Sequence, residues 1–114
     1  MKLIIAGGRS YTLTARDIAR LEAIEGVTEV VSGCARGVDR DGEIWAEKKA
    51  IPVRRFPPEW NRYGRGAGVV RNREMAAYAD AVALFPGKRG TDSMFEEARK
   101  AGIVVYDFRT PGST

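Results

Sequence analysis

Hydrophobic residues fall in short runs separated by longer amphipathic stretches. The runs Lys2–Ala6, Glu29–Ser32, Pro52–Phe56, Ala81–Phe85 and Ile103–Phe108 are four to six residues long and mostly rich in β-branched side chains, which predicts five strands. The first, fourth and fifth are almost wholly apolar, the pattern of parallel strands covered on both faces. Between them the apolar period changes to that of a helix. Thr14 and Asp17 form a capping-box pattern ahead of Ile18, Leu21 and Ile24. Asp39–Ala50 carries Ile44, Trp45 and Ala46, Gly68–Ala79 carries Met75 and Ala76, and Asp92–Ala101 turns Met94, Phe95 and Ala98 inward before a stop at Gly102. Strand and helix alternate throughout. Right-handed crossovers then give an α/β domain of three layers, a five-stranded parallel sheet with helices on both faces. Strand order 3-2-1-4-5 is expected, over residues 1–109, with 110–114 as a C-terminal tail.

Composition narrows the chemistry. The 114 residues suit one domain, and 44% hydrophobic content supports an ordinary core. No apolar run approaches the roughly 18 residues of a membrane span. The opening Met1–Gly7 is too short for a secretory h-region and reads as the first strand, so a cytoplasmic location without membrane association is expected. A single cysteine, Cys34, excludes an intrachain disulfide, and the absence of histidine removes the commonest general base and the usual zinc sites. No metal and no cofactor are expected, and Cys34 reads as a small packing residue. The net charge of +4 and pI of about 9.5 favour anionic partners.

The strand ends are where function becomes legible. The first strand runs into Gly7, Gly8, Arg9, Ser10 and Tyr11. The second runs into Ser32, Gly33, Cys34, Ala35, Arg36, Gly37, Val38 and Asp39. The fourth runs into Pro86, Gly87, Lys88, Arg89, Gly90 and Thr91. Glycines shape tight strand-to-helix turns and also let a backbone approach a ligand closely. Three such loops at one sheet edge, each with a cation and each leading to a helix N-terminus, predict a phosphate-binding crevice at the switch point between the first and fourth strands. None has the spacing of a Walker A loop or of a dinucleotide fingerprint.

Arg71 and Asn72 extend the buried stripe of the third long helix toward its start. A guanidinium there needs a partner, either an internal carboxylate such as Asp39 or the ligand, and the ligand is favoured because the polar end of the stripe approaches the crevice. The stretch from Pro57 to Gly68 reads as a long polar loop. In it Trp60 or Tyr63 stacks on a base, with Arg62 or Arg65 closing over phosphate, or else it is a surface loop with Trp60 plugging the core edge.

These stretches, together with Gly64-Arg65-Gly66-Ala67-Gly68 and Ala79-Asp80, resemble the SLOG superfamily, in particular its YspA-like branch related to YpsA. The wider group includes the LOG cytokinin-activating phosphoribohydrolases and the DprA/Smf DNA-processing proteins. The resemblance implies a Rossmann-like fold that binds nucleotides or their derivatives, including ADP-ribose-type molecules, and association into a homodimer or larger homo-oligomer. LOG enzymes carry Pro-Gly-Gly-x-Gly-Thr-x-x-Glu with a catalytic arginine before it. The arginine position falls on Arg71, but the second glycine is Lys88 and the glutamate position is Met94. Glu96 and Glu97 lie about 200° and 300° further around the helix, so neither replaces it. The expected function is therefore to sense or sequester a phosphate-bearing nucleotide derivative without turnover. An N-glycosidase using Arg71 with Asp39, Asp92 or Glu74 ranks second, and a DprA-like binder of single-stranded DNA third.

Overall fold

The computed structural model describes residues 1–109; the expected tail, 110–114, lies outside the described residues. Strands β1 (Lys2–Ala6), β2 (Glu29–Ser32), β3 (Val53–Arg55), β4 (Ala81–Leu84) and β5 (Val104–Asp107) form one parallel sheet in the order β3-β2-β1-β4-β5. The expected order is therefore the observed one.

Alternation along the strands explains the layers. Leu3 and Ile5 of β1 point to one face, where they meet Leu21 of α1 (Ala15–Glu22) and Val38, Trp45 and Ala46 of α2 (Val38–Lys48). Ile4 and Ala6 point to the other face, against Met75 and Ala76 of α4 (Ala67–Tyr78) and Met94 and Ala98 of α5 (Arg89–Ala101). A chain that winds outward from β1 through α1 and α2, then returns past β1 to β4 with its next helices on the opposite face, keeps every crossover right-handed. Reversal of direction opens a crevice between the carboxyl ends of β1 and β4. Registers Leu3↔Ala81 through Ala6↔Leu84 bring those two ends level, so the loops that follow them emerge side by side.

Several local readings need correction. β5 is an edge strand, and Val104 is 56% exposed instead of covered on both faces. Within α2, Trp45 is buried but Ile44 faces solvent. α5 starts at Arg89, three residues before the expected Asp92, so Arg89, Gly90 and Thr91 belong to its first turn. The stretch after Pro57 and Pro58 is not a plain loop: it coils into a four-residue helix α3 (Trp60–Tyr63) and a single 3₁₀ turn (Gly64–Gly66) that leads straight into α4. The capping box of α1 forms as its sequence indicates, with the Asp17 amide donating to Thr14 Oγ1 at 3.1 Å and the Thr14 amide donating to the Asp17 carboxylate at 3.0 Å. No helix among the described residues is long and apolar enough to cross a membrane.

Candidate functional site

A cavity of about 830 Å³ opens at the β1/β4 switch point. The β1–α1 loop supplies Gly7, Gly8, Arg9, Ser10 and Tyr11, and the β4–α5 segment supplies Pro86, Gly87, Lys88, Arg89, Gly90 and Thr91. Arg71 and Asn72 reach in from α4 and Asp39 from α2, while Ala6, Met75 and Met94 give it an apolar floor. The two glycine loops lock together, because the Gly8 amide donates to the Pro86 carbonyl at 2.8 Å. The first turn of the 13-residue α5 faces this space; its Thr91 amide donates to the Lys88 carbonyl at 3.1 Å, and the amides of Arg89 and Gly90 before it have no intrahelical acceptor. That turn, together with Arg9, Arg71, Lys88 and Arg89, makes the cavity strongly cationic. Asp39 is the one carboxylate among the residues that line it.

Arg71 is half-buried. Its Nε donates to Asn72 Oδ1 at 2.9 Å, and a terminal nitrogen donates to the Gly33 carbonyl. It makes no ion pair within 4.0 Å among the described residues. Burial depresses its pKa, which the nearby Asp39 opposes and the like charge of Arg9 reinforces. Asp39 thus forms no direct ion pair with Arg71 and acts from a distance, and Arg71 lines the cavity.

Asp39 is buried, and burial pushes its carboxyl from 3.8 to about 6; the amides of Ala35 and Gly7 and the charge of Arg71 only partly offset this. A carboxyl whose folded pKa is raised stabilises the fold fully below its unfolded value near 4, and that stability is lost as the pH rises through 6. At about 1.4 kcal/mol per unit the shift bounds the effect at roughly 3 kcal/mol. Asparagine offers one accepting oxygen to two amides, so Asp39→Asn is expected to stabilise the unliganded protein by about 1 to 2 kcal/mol at pH 8 and by nothing at pH 4. Thermal denaturation at the two pH values measures the difference.

Other expected site residues take different places. Asn72 is 4% exposed, and its amide is fully engaged: Nδ2 donates to the Gly90 carbonyl at 3.3 Å and Ser93 Oγ at 3.1 Å. It therefore positions Arg71 and the α5 start and has no side-chain donor left for a phosphate. The Tyr11 hydroxyl donates to the Asp17 carboxylate at 2.6 Å, leaving its ring to line the cavity. Ser32 is buried below the crevice and lines neither cavity; its hydroxyl donates to Glu43 at 2.6 Å and accepts from the Cys34 amide at 3.1 Å. Gly37 packs against the β1–α1 loop and lines neither cavity. Gly33, Arg36 and Trp60 line an adjoining cavity of about 380 Å³. Of the carboxylates weighed for glycosidic cleavage, Asp92 pairs with Arg109 at 3.2 Å and, like Glu74, lies outside the main cavity. Cys34 is exposed at a positive φ of 67°, not packed inside as expected, and burial of its thiol nonetheless pushes its pKa up.

One participant escaped the sequence reading. Glu43 is buried one turn beyond Asp39 on α2, bonded to Ser32 and to Arg55 at 3.1 Å, and so fastens α2 to the ends of β2 and β3. Its signal was the i, i+4 spacing of two acids on the stripe that carries Gly42 and Ala46. No group of three or more His, Cys, Asp or Glu residues able to hold a metal occurs among the described residues.

Comparison with known proteins gives two matches. Residues 1–63 match the family model described as YAcAr: YspA, cpYpsA-related SLOG family. The Gene 61 protein of Mycobacterium phage D29 is 40% identical over 87 residues, an alignment spanning 69% of this chain and 70% of that protein. No solved structure matches the chain.

Proposed function

Because the chain belongs to the YspA, cpYpsA-related SLOG family, we propose that it binds a phosphate-bearing, nucleotide-derived small molecule as a sensor or sequestering protein, without turnover. The observation that carries this reading is the switch-point cavity, in which Arg9, Arg71, Lys88, Arg89 and the start of α5 converge with Asp39 as the sole lining carboxylate. Positive charge in excess, offered by guanidinium forks and free backbone amides, is the recognition chemistry of phosphate. The apolar floor of Ala6, Met75 and Met94 suits a sugar or base face. Absence of turnover is supported by Met94, which closes the floor at the position where LOG-type enzymes carry glutamate. Glycosidic cleavage calls for a carboxylate beside the developing cationic sugar, and Asp39, the lining carboxylate, is buried and held by the Ala35 amide at 3.3 Å.

A thermal-shift titration with AMP, ADP, NAD, ADP-ribose, cyclic ADP-ribose and a short single-stranded DNA, followed by chromatography of each mixture, tests the reading. A ligand at 100 times its dissociation constant stabilises the fold by about 2.7 kcal/mol, a rise in Tm of roughly 10 °C for a domain this small. A shift by a nucleotide recovered intact is the expected result. Released base would convert the reading to an N-glycosidase, and a response to DNA alone would overturn it.

A further inference from the structure

We propose that the site is two-ended and takes a nucleoside diphosphate ester, its base lying on Trp60, its diphosphate passing between Arg9 and Arg71, and the group beyond the diphosphate filling the main cavity. This inference rests on the nucleotide-binding reading and names the class of ligand.

Three observations carry it. First, the two cavities are neighbours with shared walls: Arg9, Ala35 and Arg71 line both, so the two guanidiniums stand at the passage between a space of about 830 Å³ and one of about 380 Å³. A mononucleotide with its phosphate at the passage occupies one side and leaves the other empty.

Second, the outer cavity is built around an aromatic surface. Trp60 is 51% exposed, and the other large hydrophobic side chains exposed among the described residues (Ile44, Val69 and Val104) are aliphatic. Pro57 and Pro58 stiffen the approach to α3, which presents Trp60 at the wall of the cavity that Gly33 and Cys34 also line. The buried Trp45 shows where this chain puts a tryptophan that serves its core. An indole held at a cavity edge, with Arg36 beside it, is a stacking platform for a base.

Third, the passage is cationic without a built-in counterion. Arg71 forms no ion pair within 4.0 Å among the described residues, and Arg9 adds like charge to it. The nearest carboxyl, Asp39, is buried and lies beyond ion-pair distance of Arg71, so it leaves the guanidinium open to a ligand. Lys88, Arg89 and the α5 start line the main cavity alone, whereas Arg9 and Arg71 line both, so the cations extend from the shared wall into the main cavity. A linear diphosphate bearing a group at its far end matches that run of cations; a single terminal phosphate meets only part of it.

Affinities of ADP-ribose, NAD, diadenosine diphosphate and UDP-glucose are compared with those of AMP and ribose 5-phosphate, by calorimetry and by tryptophan emission, for the wild-type chain, Trp60→Leu, Trp60→Tyr and Arg71→Ala. At least one ester is expected to bind roughly tenfold or more tighter than either fragment and to quench the emission of Trp60, with Trp45 as the unquenched background. Trp60→Leu should weaken that ester by roughly tenfold to hundredfold and abolish the quench, and Trp60→Tyr should recover most of the affinity. Trp60 is half-exposed, and an unchanged Tm in the leucine variant confirms that the fold is intact. If the esters bind no tighter than AMP, or Trp60→Leu leaves ester affinity unchanged while Arg71→Ala weakens AMP, the two-ended site is wrong and the nucleotide reading stands. If none of these compounds binds the wild-type chain, both fail.

Discussion

Arg71→Ala is expected to lower affinity for the bound nucleotide about 100-fold while moving Tm by only a few degrees. The guanidinium is half-buried at the passage between the two cavities, anchored through Asn72 Oδ1 and the Gly33 carbonyl, with its charge unmatched by any ion pair among the described residues. Charge-assisted hydrogen bonds to a phosphate each contribute about 1.5 to 3 kcal/mol, so loss of the fork accounts for two decades of affinity. Stability responds weakly because two effects oppose. The variant removes a cation that burial disfavours, but it strips Asp39 of its attraction and leaves Asn72 Oδ1 unpaired. Arg71→Lys keeps the charge and loses the planar fork, and should bind roughly tenfold more weakly than the wild type. Calorimetric titration with whichever nucleotide gives the largest thermal shift measures both variants. Unchanged affinity in the alanine variant would remove the ligand from this cavity altogether.

How much of this was legible beforehand depends on the range of the interaction involved. The parallel three-layer sheet followed from two local facts, the short apolar runs and the intervening helical periods; handedness then leaves a few strand orders, among which 3-2-1-4-5 was a choice and not a deduction. The crevice followed from the glycine loops, whose cations are sequence neighbours of the turns that expose them. What escaped reading is set by contacts between distant segments. Ser32 looks like a member of a phosphate loop, but its hydroxyl is taken by Glu43, eleven residues on, and no local pattern announces that bond. Asn72 shares a helical stripe with Arg71, yet its amide is consumed by Gly90 and Ser93 at the α5 start. That start lay three residues early because no Ser, Thr, Asp or Asn caps it; Lys88 occupies the cap position without a side-chain bond. The α3 turn, four residues long, is shorter than the window over which a helical period can be recognised. β5 has a core-strand composition but is the last strand of the sheet among the described residues, and its Val104 is exposed.

The larger loss of stability is expected from a residue that touches no ligand. Gly37 sits at φ 73° and ψ −125°, a conformation in essence open only to glycine, at the turn from the β2 loop into α2. A Cβ there would collide with the Gly8 carbonyl oxygen and lie 2.7 Å from the backbone carbonyl of Arg9. Both obstacles are main chain, so no side-chain rotation relieves them. The Gly8 carbonyl also accepts from the Val38 amide at 3.2 Å, the bond that ties the start of α2 to the β1–α1 loop. Gly37→Ala must therefore accept backbone strain of about 1 to 3 kcal/mol and also push the two loops apart. A total near 4 kcal/mol, seen as a fall in Tm of roughly 15 to 25 °C, is expected. Gly26 supplies the control, for its φ of 77° is equally left-handed but a Cβ there meets nothing within 4 Å. Gly26→Ala should cost only about 1 kcal/mol, the dihedral effect alone. Any Gly37→Ala protein that remains folded should also bind nucleotide more weakly, because the displaced loop is the one that carries Arg9 into both cavities. Equal losses of Tm in the two alanine variants would mean that the loops yield freely, and that the close seating of Gly37 on Gly8 does not hold the site in shape.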